Sequence, residues 1–267
     1  MNHVDETARI GRGTQLGIGV VVEGGAEIGA DCQIGHHTVI RANAHIGDGC
    51  QVGDHVVLHA GTRVGSQVRI DEHSSLGKQP MRAPNSAVTK DRILPPAIVG
   101  DRCLIGSGAV VYAGSTLGEK VLVADLATVR EDVSVGSFTI VGRGVAIENH
   151  CSIGQYCKLE TNAYITAYST LEDRVFVAPG TLTSNDNFMG RTEERFKHFK
   201  GVTVRRGGRL GVGSVILPGR TIGADAVVAA GAVLTRDADD GQIQAGVPAK
   251  PFRPVPEEQL LDNQGWD

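Results

Sequence analysis

The stretch from Ile10 to Ile40, IGRGTQLGIGVVVEGGAEIGADCQIGHHTVI, puts an aliphatic residue on every sixth position: Ile10, Leu16, Val22, Ile28, Ile34 and Ile40. The series continues without a slip to Leu76. It resumes from Val99 to Val177, with Thr183 in the last place, and returns from Val204 to Leu234. That makes 33 hexads, or 11 sets of three. A period of six suits neither an α-helix nor a plain strand, whose side chains alternate. It marks a parallel β-helix, in which each hexad is a short strand plus a corner and three hexads close one coil.

The fourth residue after each aliphatic is small or modest, as at Cys32, Thr38, Ala44 and Cys50. One large and one small inward position per hexad fill a narrow triangular tube at close-packed density. With 36 glycines and 4% aromatics, the composition suits a tube too narrow for rings. All five cysteines (Cys32, Cys50, Cys103, Cys151, Cys157) take the small inward position, which reads as reduced core filler. A net charge of −4 argues against general nucleic-acid binding. The N-terminus has no signal-like segment and no apolar run reaches about 18 residues, so the expectation is a cytoplasmic protein with no membrane partner. His37, His55 and His73 form one corner column, but without converging partners they read as polar corner residues, and no metal is expected.

The register breaks twice, over residues 77–98 and 184–203. The first segment holds four prolines; the second gathers aromatics, charges and asparagines. Both follow the third hexad of a set, so both loops are expected on one edge of the prism, five coils or about 24 Å apart. Loops this long in a repeat protein are usually functional. On that edge Asp132, His150, Tyr168 and Asp186 hold one corner position, beside Glu131, Asn149, Ala167 and Asn185. A histidine near a carboxylate is a reasonable general base, which makes His150 and Asp186 the catalytic candidates. Glu160, Asn162, Tyr168, Asn149, Asn185 and Arg191 are the candidates for holding substrate.

The hexads, the loop opening Ser184-Asn185-Asp186-Asn187 and the run GVTVRRGGRLGVGSVILPGRTIGADAVVAAGAVLTRD with its following AGVPAKP resemble the left-handed β-helix acyltransferases. Within that family the chain is most similar to acetyl-CoA-dependent N-acetyltransferases of nucleotide-linked amino sugars, particularly the type acting on dTDP-3-amino-3,6-dideoxyhexoses. The resemblance implies a left-handed parallel β-helix, a homotrimer with sites between prisms, and acetyl-CoA along the late coils. It places the pantetheine arm against Gly211, Gly213, Ala229, Ala230 and Gly231, with Arg236 and Lys250 toward its phosphates. Asn162 matches an asparagine that such relatives place at the sugar. One departure is that Asn149 stands where related enzymes carry the base histidine, and His150 where they carry an acid.

The implied reaction is acetyl transfer from a thioester to the amine of a dTDP- or UDP-linked amino sugar. O-acyl transfer, a zinc hydratase of the carbonic-anhydrase type and a non-catalytic scaffold are the alternatives. The expected organisation is an all-β helix of about 11 coils over residues 1–253. A helical tail over residues 254–267 begins with Pro256 in its first turn and is expected to cap the open end.

Overall fold

The computed structural model describes residues 1–86 and 92–266. Its strands, most of them two residues long, stack into three sheets of 12, 11 and 13 strands. The first face opens with His3–Val4, the second with Arg9–Ile10 and the third with Gln15–Leu16. Parallel partners are one coil apart, as in Val21↔Val39 and Val22↔Ile40. The result is an all-β parallel solenoid, consistent with a left-handed β-helix. It is longer than the 11 coils expected, because His3–Val4 already pairs with Val21–Val22 and Gln242–Ala245 adds a rung beyond Val227–Val228. The first of these rungs extends the hexad register one step back, from Ile10 to Val4, while the last falls outside it.

The large inward aliphatics, such as Ile40, Leu58, Ile147 and Leu210, are fully buried. Where the small inward residue is Thr or Cys it has a second role, which is to donate to a carbonyl of the next coil. Thr38 Oγ1 reaches Gly53 O at 2.8 Å, and the thiols do likewise, Cys50 to Gly65 O and Cys151 to Thr166 O, each at 3.1 Å. All five cysteines are free and buried. Burial pushes the thiols of Cys50, Cys103 and Cys157 up to about 11 and that of Cys151 to about 12. Where a glycine follows the aliphatic it answers to stacking: a Cβ on Gly35 would lie 2.4 Å from the carbonyl carbon of Gly53.

Three ridges join the faces, and their corner residues have positive φ even when they are not glycine, as at His37, Phe138 and His150. This conformation is repeated coil after coil, so outward side chains stack in columns. His37, His55 and His73 follow one another at ring separations of 5.2 Å. Among the described residues no cluster of three His, Cys, Asp or Glu side chains is arranged to hold a metal ion. No helix there is long and apolar enough to cross a membrane.

Both loops leave the first ridge, as the hexad count requires. Ser75–Lys78 and Leu182–Thr183 belong to the first face, while the chain re-enters at Ile98–Val99 and Thr203–Val204 on the second. The amide of Gln79 bonds both the N–H and the C=O of Leu94, at 3.0 and 2.9 Å, and so pins the stem of the first loop. Residues 87–91 of that loop lie outside the described residues. The second loop contains a 3-10 turn, Glu193–Lys197.

The tail differs from expectation. Lys250–Pro254 runs antiparallel to Gln242–Ala245 and closes the last edge of the third face. Two 3-10 turns follow, Glu257–Gln259 and Leu261–Asn263, because Leu260 between them is extended and interrupts any longer helix. These turns do not cap the open end. They fold back along the third face, where Arg206 meets Asp262 at 3.0 Å and Asp225 accepts the Leu261 N–H at 3.1 Å.

Candidate active site

On the first ridge, successive coils carry Asp132, His150 and Tyr168, all at positive φ. His150 Nδ1 lies 3.4 Å from Asp132 Oδ2, and its ring stacks on Tyr168 with centroids 5.2 Å apart. Arg92, from the first loop, forms an ion pair with the same carboxylate oxygen of Asp132. Asp132 is therefore the carboxylate that accompanies His150, and the loop fixes it from outside.

Asp186 does not continue this column. At that corner the chain departs into the second loop, and Gly201 takes the place against the backbone of Tyr168. The Asp186 carboxylate accepts the N–H groups of Phe188 and Gly190 at 2.8 and 2.9 Å and one Arg195 nitrogen at 3.3 Å. Burial pushes its acidity one way and these donors push it the other; the donors prevail and hold the carboxyl below the usual range. Such an acid builds the loop and is a weak base. Asn149 also departs from expectation, since it is fully buried. Its amide has no partner among the described residues and borders a cavity of about 10 Å³ beneath Arg92 and Leu94. In the single chain it is closed off from the open ridge. Asn185 is half-buried at the loop's root, and Arg191 is exposed on the loop.

A second polar group, invisible to the histidine-and-acid reading, flanks this one. Arg130 grips Glu131 through two hydrogen bonds, at 2.8 and 3.0 Å, approaches Glu148 at 3.4 Å and covers the ring of Tyr112. Burial, opposed by Arg130 and reinforced by Glu131, pushes the Glu148 carboxyl above its usual range. Burial and the Glu148 charge push the Tyr164 phenol up as well. The 18-residue spacing of Tyr112, Arg130 and Glu148 was the available signal. Arg92 had none, because a loop has no register.

The remaining candidates border the opposite edge of the first face. Glu160 and Asn162 lie on the third ridge, and Asn162 heads a column continued by Gly180, Gly213 and Gly231. A Cβ on any of these three glycines would meet nothing within 4 Å, so they form an open strip of bare backbone. Gly211 serves a different purpose, since its Cβ would lie 2.5 Å from Ala230 N and only a hydrogen lets the coils stack there. Ala229 is partly buried and Ala230 exposed. Lys250 follows Ala249, whose N–H bonds Val233 O at 2.8 Å at the end of this strip. Arg236, by contrast, follows the first face on the loop ridge. Within one chain, His150 and the glycine strip are thus held apart by the width of the first face, one hexad or roughly 20 Å of extended chain.

Three family models match parts of the chain: the GMPPB C-terminal domain over residues 34–137, the bacterial transferase hexapeptide (six repeats) over 7–42, and the hexapeptide repeat of succinyl-transferase over 206–236. These matches mark hexapeptide-type repeats over parts of the chain, in keeping with the solenoid. It is 45% identical over 49 residues to a Schizosaccharomyces pombe protein named "Putative acetyltransferase C18B11.09c". That match covers 18% of this chain and 24% of the relative's length. Among solved structures, a hexapeptide-repeat acetyltransferase of Vibrio cholerae aligns at 23% identity and TM-score 0.41, over 46% of this chain and 74% of that one. A UDP-N-acetylglucosamine O-acyltransferase of Moraxella catarrhalis aligns at 16% identity and TM-score 0.44, over 100% of this chain and 77% of that one. A galactoside acetyltransferase in complex with coenzyme A aligns at 26% identity and TM-score 0.42, over 46% and 66%.

Proposed function

We propose that the protein is an acetyl-CoA-dependent acetyltransferase acting on the amine of a nucleotide-linked (dTDP or UDP) amino sugar, assembled as a homotrimer. The observation that carries this reading is the division of the site between two ridges of one face. His150, Asp132 and the loops stand on one edge, and Asn162 and the glycine strip on the other. In a ring of three prisms with their first faces inward, the first ridge of one copy meets the third ridge of the next, and the halves join.

The outward residues support that packing. The first face presents Val21, Val39, Val57, Val110, Val215 and Val233, all half-buried in the single chain. The second presents Arg9, Glu27, His45 and Arg63, all exposed. A valine stripe along the solenoid is the face to cover.

Coenzyme A fits the glycine strip, where the pantetheine arm would lie on backbone, with Lys250 toward its phosphates. Arg236 would come from the neighbouring copy. A free amine is already nucleophilic, so binding and orientation supply most of the acceleration. Asp132 beside Nδ1 favours the tautomer with Nε2 unprotonated, and that nitrogen takes the proton released as the amide forms. Backbone N–H groups near the thioester stabilise the oxyanion. The departing thiolate leaves as coenzyme A.

The test is purified protein with acetyl-CoA and a panel of dTDP- and UDP-amino sugars, with thiol release and product mass as readouts. Acetylated amine supports the reading; absence of turnover across the panel removes it. O-acyl transfer is the second reading, and the His150–Asp132 pair favours it, because a hydroxyl needs a base where an amine does not. Thiol release with amine-free sugars alone would select it.

A further inference from the structure

The second ridge, between the second and third faces, carries a pattern unrelated to the transfer site. Lys120, Phe138, Tyr156 and Arg174 stand 18 residues apart at positive-φ corners, which turns their side chains outward in register. Lys120 Nζ lies 4.7 Å from the Phe138 ring, Phe138 stacks on Tyr156 at 4.8 Å, and the Arg174 guanidinium lies 4.7 Å from Tyr156. Arg174 also faces Trp266 of the tail at 5.6 Å. The ladder therefore runs from the solenoid into the tail.

Between the tail and the third face lies a cavity of about 660 Å³, a size ordinary for a small-molecule site. Tyr156, Phe176 and Trp266 give it flat aromatic walls, and Lys158 and Arg209 bring positive charge. Arg209 donates from Nη1 to Gln259 Oε1 at 3.2 Å, but its Nη2 is buried with no acceptor among the described residues. A buried guanidinium N–H without an acceptor is costly, and an anion seated there would remove the cost. Of the two carboxylates at the cavity, Asp225 is occupied by the Leu261 N–H, and Glu258 belongs to the tail.

We propose that this cavity binds a nucleotide, its flat ring against the aromatic walls and its phosphate on Arg209 and Lys158. Aromatic surface and an unanswered cation together select a ring bearing an anion over either alone. The second ridge is the corner opposite the first face, while His150 and the glycine strip border that face. The site is therefore separate from the transfer cleft and does not depend on the acetyltransferase reading.

Trp266 is the chain's single tryptophan, so its emission reports the site. The full-length protein is titrated with ADP, UDP and dTDP, followed by fluorescence and by calorimetry. At least one nucleotide should bind saturably below ~1 mM and change the emission, while the matching nucleoside and inorganic phosphate each bind at least about tenfold more weakly. Arg209→Met and Lys158→Met, each checked by circular dichroism, should each weaken binding about tenfold or more. Arg236→Met, on the first ridge, should leave the Trp266 response intact. The proposal fails if no nucleotide binds, if phosphate alone binds as tightly, or if Arg236→Met abolishes the response and Arg209→Met does not.

Discussion

The rings of His150 and Tyr168 lie one coil apart and nearly parallel, with centroids separated by 5.2 Å and planes inclined by 14°. The stack fixes the plane of the imidazole, and Asp132 at 3.4 Å fixes which edge it turns to the solenoid. His150→Ala should lower kcat by about a hundredfold, the lower end for loss of a positioned base. Asp132→Asn should cost less, roughly tenfold in kcat. Steady-state kinetics from pH 5.5 to 9 decide the matter. A histidine variant retaining near-native kcat across that range would remove the imidazole from the mechanism.

Glu148 offers a test of the neighbouring polar group. Burial raises its folded pKa above the usual 4.5, with Glu131 reinforcing and Arg130 opposing. Between the unfolded and folded values the native state holds more protons, so this group's contribution to stability falls as pH rises. Glu148→Gln cannot ionise and escapes the loss. The variant should therefore gain stability relative to the native protein as pH climbs above about 4.5. Urea melts at pH 4 and pH 7 measure the gap. A variant that loses stability relative to the native protein between pH 4 and pH 7 contradicts the assignment.

The cysteines should behave as core atoms. With thiols at about 11 to 12 in Cys50, Cys103, Cys151 and Cys157, the thiolate fraction at pH 8 is on the order of one in a thousand or below. Cys32 is equally buried. Native protein should show almost no rapid reaction with a disulfide reagent, and all five thiols should titrate after guanidinium denaturation. Rapid labelling of one thiol in the native state would mean that a coil opens locally or that a thiol is activated.

What the sequence discloses follows from where its regularity lies. Ile40, Ile46 and Val52 announce the fold because a tube wall admits one kind of residue at each inward place, and the common ridge of both loops follows from counting hexads. Columns are legible for the same reason, which is how His150 and Tyr168 come together on paper. Legibility ends where the chain leaves the lattice. Asp186 drops out of its column because the loop begins two residues earlier, and Arg92 approaches Asp132 from a segment with no register. Asn149 shows a different limit. Spacing places it beside His150 but gives no sign that the first loop covers it. The tail misleads through local chemistry, since Pro256 and Glu257 start a helix well enough while Leu260 ends it after one turn.

The valine stripe of the first face yields the prediction on which the joined site depends. Val39 and Val57 pair across adjacent coils and are half-buried in the single chain, on the third and fourth strands of the first face. If three first faces pack around an axis, each substituted residue meets its own copies there, so one aspartate becomes three carboxylates in an apolar interface. Desolvation and mutual repulsion of such groups cost several kcal/mol. Val57→Asp should therefore shift the sedimenting species from three chains to one at micromolar concentration and abolish transferase activity with it. Thr116→Asp, on the outward surface of the second face, should leave both unchanged. Because the inward partner Leu58 is untouched, circular dichroism should stay native in both variants. A native protein that sediments as one chain, or a Val57→Asp protein that stays trimeric, would separate His150 from the glycine strip for good and leave the two ridges without a shared cleft.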